Sequence, residues 1–295
     1  MIQAKIVNRR KLSSVADMYR QILVPLDGSR LAEVALPYAE EVAAKTGADI
    51  IFLSVLDAEM PDDYQKHQAY IQKVAKATRF HAEKYLEEVI PKPVKVMTAT
   101  RRGSPANAIV DYANKGAFKL IIMATHGRSG ISRWAVGSVA DKVVRATTRQ
   151  PILLIRANGA HPDVREKRIL KKMLVPLDGS TVSRAVVPYI SELAVKLEME
   201  VTFFQVVTSK NHNGEDAEEY LQSHCAILQE EGIVARCEVR TGDAAEQIID
   251  FADEMAMDLV AMSTHGKSGL NFWTLGSVAQ KVLLGGTTPL LLMRA

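Results

Sequence analysis

Apolar positions along the chain keep two rhythms. Short apolar runs recur at 21–26, 49–56, 94–100, 119–124 and 151–155. Turn residues or charges bound them, so each reads as a buried strand. Between the runs the spacing becomes helical. Residues 31–46 carry Ala32, Ala35, Leu36, Ala39, Val42 and Ala43, and Gly47 stops the segment. Residues 62–90 carry Ile71, Val74, Ala75, Thr78, Ala82, Tyr85, Leu86 and Val89, which predicts a long amphipathic helix. Ser104-Pro105 predicts a helix start, with serine as cap and proline at the first helical position. A last helix is expected over 137–148. Strands alternating with helices in this order predict an α/β fold, a doubly wound five-stranded parallel sheet of Rossmann-like type.

The pattern then repeats. Ile22-Leu-Val-Pro-Leu-Asp-Gly-Ser29 returns as Met173-Leu-Val-Pro-Leu-Asp-Gly-Ser180, and Thr125-His-Gly-Arg-Ser-Gly130 returns as Thr264-His-Gly-Lys-Ser-Gly269. Gly137-Ser-Val-Ala140 returns as Gly276-Ser-Val-Ala279, and Pro151-Ile-Leu-Leu-Ile-Arg-Ala157 as Pro289-Leu-Leu-Leu-Met-Arg-Ala295. A unit of this length is a duplicated domain and not a solenoid repeat. We expect an N-terminal extension at 1–20, a first domain at 21–157, a linker at 158–168 and a second domain at 169–295. The linker holds Asn158, Gly159, Pro162 and a run of charges. Asp27 and His126 stand 99 positions apart, whereas Asp178 and His265 stand 87 apart, so the second copy is shorter in its middle.

An open parallel sheet binds ligands beyond the carboxyl ends of its strands, where the strand order reverses. With either common winding, that point lies beside strand one. Two loops meet there, Leu26-Asp27-Gly28-Ser29 and the stretch from Thr125 to Ser138. The second has the parts of a phosphate cradle. Gly127 and Gly130 let backbone N–H groups approach an anion, and Arg128, or Lys267 in the second copy, adds a cation. Gly137-Ser138 opens a helix whose free N–H groups and dipole favour negative charge. The alternative is that the glycines only shape a turn. Asp27 reads as a partner for a ribose hydroxyl or the base, or as an Asx turn with Gly28 and Ser29. Val55 and Val206 stand where adenine would pack, or are plain core.

Other motifs fall short of catalysis. His126 and His265 lack the partners of a triad. Lys267-Ser268 after Gly266 hints at a Walker loop, but Ala261 stands where its first glycine belongs. Asp27-Gly-Ser29 is not a nucleophile elbow. Trp134 and Trp273 hold equal places in the two loops and read as packing residues. No catalytic residue and no protein-held metal is expected.

Charge and cysteine content narrow the partners. Net charge is +3. Residues 1–20 carry five cations against Asp17, a balance of +4, so the remainder sums to −1. The basic character belongs to a tail, and neither nucleic acid nor a membrane is expected as partner. No apolar run approaches a bilayer span, and no h-region follows the basic N-terminus, which points to a cytoplasmic protein. Cys225 and Cys237 stand 12 apart with none in the first copy, which reads as two free thiols.

These residues resemble the universal stress protein family, as a tandem pair of its ATP-binding type, from about Gln21 to Ala295. Val24-Pro-Leu-Asp-Gly-Ser29, the His126-Gly loop with nine residues before Gly137-Ser138, and the terminal Pro151-Ile-Leu-Leu-Ile strand carry the resemblance. It implies the adenine nucleotide alpha hydrolase-like variant of the fold. The family's ATP pattern is Gly-x2-Gly-x9-Gly-Ser/Thr; here Ala124 and Ser263 replace its first glycine. By resemblance, Pro25, Asp27 and Val55 line the adenosine end, Ala124, Thr125, His126, Gly127, Arg128 and Gly130 wrap ribose and phosphates, and Gly137, Ser138, Val139 and Ala140 close the triphosphate. Pro176, Asp178, Val206, Ser263, Thr264, His265, Gly266, Lys267, Gly269, Gly276, Ser277, Val278 and Ala279 do the same in the second copy. The resemblance further implies ATP or AMP as a regulatory ligand with Mg²⁺ on the triphosphate. It also implies an intramolecular pseudo-dimer through the strands at 151–155 and 289–293, with room for a further homodimer. A nucleotide-free interaction module and a slow ATPase are the competing readings.

Overall fold

A computed structural model describes residues 19–56, 64–86, 94–126, 136–156, 168–207, 214–265 and 275–294. Residues 1–18 of the N-terminal tail, nearly all of the linker, and Trp134 and Trp273 lie outside these. The first domain runs β1 (Gln21–Pro25), α1 (Arg30–Glu33), α2 (Leu36–Thr46), β2 (Asp49–Leu56), α3 (Tyr64–Leu86), β3 (Val96–Arg102), α4 (Pro105–Lys115), β4 (Leu120–Ala124), α5 (Ser138–Ala146) and β5 (Ile152–Ile155). The second repeats it: β6 (Lys172–Pro176), α6 (Thr181–Arg184), α7 (Val187–Leu197), β7 (Glu200–Val207), α8 (Gly214–Glu230), β8 (Ala235–Thr241), α9 (Ala244–Glu254), β9 (Leu259–Ser263), α10 (Ser277–Gly285) and β10 (Leu290–Met293).

The expected α/β fold is present. Strands β1, β2, β3, β4 and β5 pair in parallel in the order 3-2-1-4-5, and the second domain matches. The order reverses at β1, between β2 and β4, as the winding requires. Strands β4, β5, β9 and β10 are buried along their whole length. Helices cover both of their faces, which is why they read as unbroken apolar runs.

Three local expectations are corrected. The single helix expected over 31–46 is two helices, α1 and α2, and the second copy splits in the same way. Pro37 and Pro188 are the cause, because each stands at the start of the second piece. Proline has no N–H to give and its ring collides with the carbonyl four residues back. Ser104 does precede α4, but its side chain makes no capping bond. Asp243, at the same place in the second copy, accepts from the N–H groups of Ala245 and Glu246. Cys225 and Cys237 are not free thiols but a disulfide pair. The chain turns back after α8 into β8 and brings their Cα atoms to 6.8 Å, within bridging reach. A count of 12 positions could not show that return.

The two domains form one ten-stranded sheet. β5 and β10 pair antiparallel, with Leu153 opposite Leu291, as expected for an internal pseudo-dimer. Two apolar clusters, one on each face, therefore continue through both domains. Arg156 donates to the Leu283 carbonyl, and Arg294 donates to the Arg145 carbonyl at 3.3 Å. Each domain's last strand thus caps the carboxyl end of the other domain's final helix, where orphan carbonyls favour a cation. Tyr19, assigned by sequence to the extension, is buried and donates to the Tyr189 carbonyl at 3.0 Å.

Glu41 on α2 adds a pH-sensitive joint. Its carboxylate accepts from the N–H of Ile169 at 2.8 Å and of Leu170 at 3.2 Å, where the second domain begins. Burial pushes the carboxyl up to about 7, against lowering by those N–H groups and by Arg168 and Lys45. A folded-state value above the ordinary one means that this group's contribution is complete below about pH 4.5 and lost as pH rises through about 7. Glu41→Gln keeps the acceptor and removes the titration. The variant should gain on the parent as pH goes from 5 to 8, by at most about 3 kcal/mol and less where water reaches the group. Parallel melting-temperature curves over that range would disprove this role.

Candidate functional site

Each domain has a cavity at the carboxyl ends of its first and fourth strands. The first encloses about 340 Å³ and the second about 190 Å³. Both combine an apolar end and a polar end. In the first, Pro25, Leu53, Val55, Ile109 and Met123 supply the apolar side, while Asp27, Thr125, His126, Gly137 and Ser138 supply the polar one. Ala124, Val139 and Ala140 complete it. Pro176, Asp178, Val206, Ser263, Thr264, His265, Gly276, Ser277, Val278 and Ala279 line the second. The structure therefore brings the proposed residues of both loops together. Gly127, Arg128, Gly130, Gly266, Lys267 and Gly269 lie outside the described residues.

The turn after β1 is built from its own side chains. Asp27 Oδ1 accepts from the Ser29 N–H at 2.9 Å and from Ser29 Oγ–H at 2.6 Å. Ser29 Oγ in turn accepts the Ala32 N–H and caps α1. Gly28 has φ of 86°, a left-handed conformation that glycine adopts without a Cβ penalty. Asp178, Gly179 and Ser180 repeat the arrangement. The Asx-turn reading of Asp27 is thus correct, and the aspartate still faces the cavity.

The loop after β4 is anchored by a glycine. The Gly137 N–H donates to the Thr125 carbonyl at 2.8 Å. A Cβ on Gly137 would lie 2.8 Å from that oxygen and 3.5 Å from the His126 Cα. Gly276 meets Thr264 and His265 at the same distances. The close approach that requires these glycines is therefore to the protein's own backbone. It draws the start of α5 against the end of β4. No side chain caps α5 or α10, so the first N–H groups of each helix stay open at the cavity wall.

The histidines complete the polar end. Thr125 Oγ1 and His126 Nδ1 are 3.0 Å apart, and Thr264 Oγ1 and His265 Nδ1 are 2.9 Å apart. Among the described residues, Nε2 of both rings is buried without a hydrogen-bond partner. A buried polar atom left unpaired costs about 1–3 kcal/mol. The same atom is buried in this way in both domains, next to each cavity.

Sequence reasoning missed several lining residues: Leu53, Ile109 and Met123 in the first cavity, and Phe204, Ile248 and Met262 in the second. Alternation along β2 and β4, and along β7 and β9, turns the strand residues to the face that carries α4 and α9, where Ile109 and Ile248 sit on those helices, and only the winding reveals this. Leu53 and Phe204 hold equal places, and the larger ring accounts for much of the smaller second cavity. Phe204 packs there against Phe251, with ring centroids 4.9 Å apart and planes tilted by 37°.

A doubly wound parallel sheet with a cavity at its switch point defines a class, the doubly wound α/β domains, here fused as a pair. The family follows from a match to the model of the universal stress protein family over residues 18–156 and again over 170–294. The chain belongs to that family. It is 24% identical over 93% of its length to the whole of universal stress protein Slr1230 of Synechocystis. Universal stress protein MJ0531 of Methanocaldococcus jannaschii is 29% identical over 48% of this chain and 84% of its own. The crystal structure of a putative universal stress protein from Pseudomonas aeruginosa shares the fold, with a TM-score of 0.70, 19% identity and 94% of each chain covered.

Proposed function

We propose that this chain is a stress-response protein that holds ATP or AMP in each domain as a regulatory ligand, with little or no turnover. One observation carries the reading. In both copies an uncapped helix N-terminus stands at the wall of a partly apolar cavity that a threonine–histidine pair also lines. The helix N–H groups suit phosphate oxygens. The apolar wall of Pro25, Val55 and Met123 suits a purine, and Asp27 suits a ribose hydroxyl. Among the described residues no group of three His, Cys, Asp or Glu could hold a metal, so Mg²⁺ would come with the triphosphate. Among the described residues no helix is long and apolar enough to cross a membrane. A cytoplasmic location and a further homodimer belong to this proposal.

Heating the purified protein should release adenine nucleotide, detected by chromatography. Absence of released nucleotide together with a silent titration with ATP and Mg²⁺ would favour a nucleotide-free module. Sustained ATP turnover lost on changing Asp27 and Asp178 would favour an enzyme. The two sites should also differ, because Phe204 crowds the second. Phe204→Leu, which copies Leu53, is expected to raise second-site affinity about tenfold, the worth of a small change in pocket shape. Calorimetry with ATP should then resolve one class of sites instead of two.

A further inference from the structure

Each domain has a second groove, on the face of the sheet that carries α4 or α9, between that helix and the edge strand. The two grooves are related by the duplication, yet their charges differ. β3 pairs with β2 so that Val55 lies opposite Arg101, and β8 pairs with β7 so that Val206 lies opposite Arg240. Arg101 therefore corresponds to Arg240. Both guanidinium groups sit over a ring of the next helix, Tyr112 or Phe251, each 4.7 Å from the centroid.

In the second domain that arginine is neutralised. Arg240 bonds Glu254 at 2.8 Å and Glu238 at 3.3 Å. Arg236, on the same strand, pairs with Glu200. In the first domain the matching positions are Lys115 for Glu254, Ala99 for Glu238 and Met97 for Arg236. Both carboxylates are gone and a further cation has arrived. Among the described residues no ion pair holds Arg101, Arg102 or Lys115; Asp111 is the one acidic residue lining the groove. The groove is also larger, about 630 Å³ against about 240 Å³. That is the size of a small-molecule site. Its floor is apolar, from Ile51, Met97 and Phe118.

We propose that this groove of the first domain is a second ligand site, apart from the nucleotide cavity, and that it takes a small planar organic anion. The flat body would lie on Met97, Phe118 and the Tyr112 ring, and the anionic group would meet Arg101 and Lys115. Arg101 lies over the Tyr112 ring and gives one Nη1–H to the Thr100 carbonyl at 2.9 Å, which leaves further guanidinium N–H groups for an acid group. The second domain satisfies the same arginine internally and needs no such ligand.

The test uses the full chain and the planar aromatic sulfonate 8-anilinonaphthalene-1-sulfonate, followed by fluorescence titration. The parent should bind one equivalent that the double variant Ala99→Glu with Lys115→Glu loses or binds at least about tenfold more weakly, since the two glutamates rebuild the second domain's ion pairs. Arg101→Glu, an exposed change, should do the same and serves if the double variant melts early. Arg240→Ala should leave that equivalent intact. Neither Ala99 nor Lys115 lines the nucleotide cavity, so ATP titrations of these variants should match the parent whether or not nucleotide binds. Dye binding unchanged in both folded variants, or no dye binding by the parent, would overturn the proposal.

Discussion

Ser138→Asp combined with Ser277→Asp is expected to weaken ATP binding at least about 100-fold while the melting temperature holds or rises. The two effects have one origin. Ser138 and Ser277 begin α5 and α10 at the cavity wall, next to N–H groups that no side chain caps. A carboxylate there gains about 0.3–1 kcal/mol from the helix dipole. The same carboxylate stands against the phosphates of a bound nucleotide. Two unit charges about 4 Å apart repel by about 4 kcal/mol at the effective dielectric of a partly buried site. Affinity and stability therefore move in opposite directions, which a misfolded variant cannot imitate. Calorimetric titration with ATP and a thermal melt on the same sample decide the matter. Unaltered affinity in the double variant would remove the helix N-termini from the site.

The second large effect is on stability. Gly137→Ala should cost about 1–3 kcal/mol, the usual cost of an extra methyl in a packed place. The added Cβ would meet Thr125 O at 2.8 Å and His126 Cα at 3.5 Å, both backbone atoms. The Gly137 N–H also holds that carbonyl at 2.8 Å, so the oxygen cannot move aside without losing a bond. Gly276→Ala should cost a similar amount by the same contact. Denaturant unfolding should show a lower midpoint for each variant. A midpoint equal to the parent's would show that the loop relaxes freely. A larger residue such as valine would report folding and binding together, which makes it a poor probe of the ligand alone.

Much of the site was legible from one chain because the chain states it twice. Asp27-Gly28-Ser29 and Gly137-Ser138 recur with the same neighbours as Asp178-Gly179-Ser180 and Gly276-Ser277. The sheet's switch point then says where both loops must meet. The reason for Gly137 was not legible. A glycine before a helix can open space for an anion or for the protein's own carbonyl, and only the 2.8 Å contact tells which. The Nε2 atoms of His126 and His265, buried without a partner among the described residues, were equally hidden, since pairing depends on everything around the ring.

Local rules, repeated by duplication, settled the order of strands and helices, the domain pair and the loops of the site. Periodicity and turn chemistry act over a few residues, so they survive in a bare string of letters. Tertiary structure alone decided the rest: the Cys225–Cys237 pair, the clasp of Glu41 on Ile169 and Leu170, and, among the described residues, the lack of an ion pair at Arg101 where its counterpart Arg240 has two. All three depend on residues brought together by the chain's return. The helix split at Pro37 belongs with the local rules, because a proline cannot donate the N–H that a continuing helix needs.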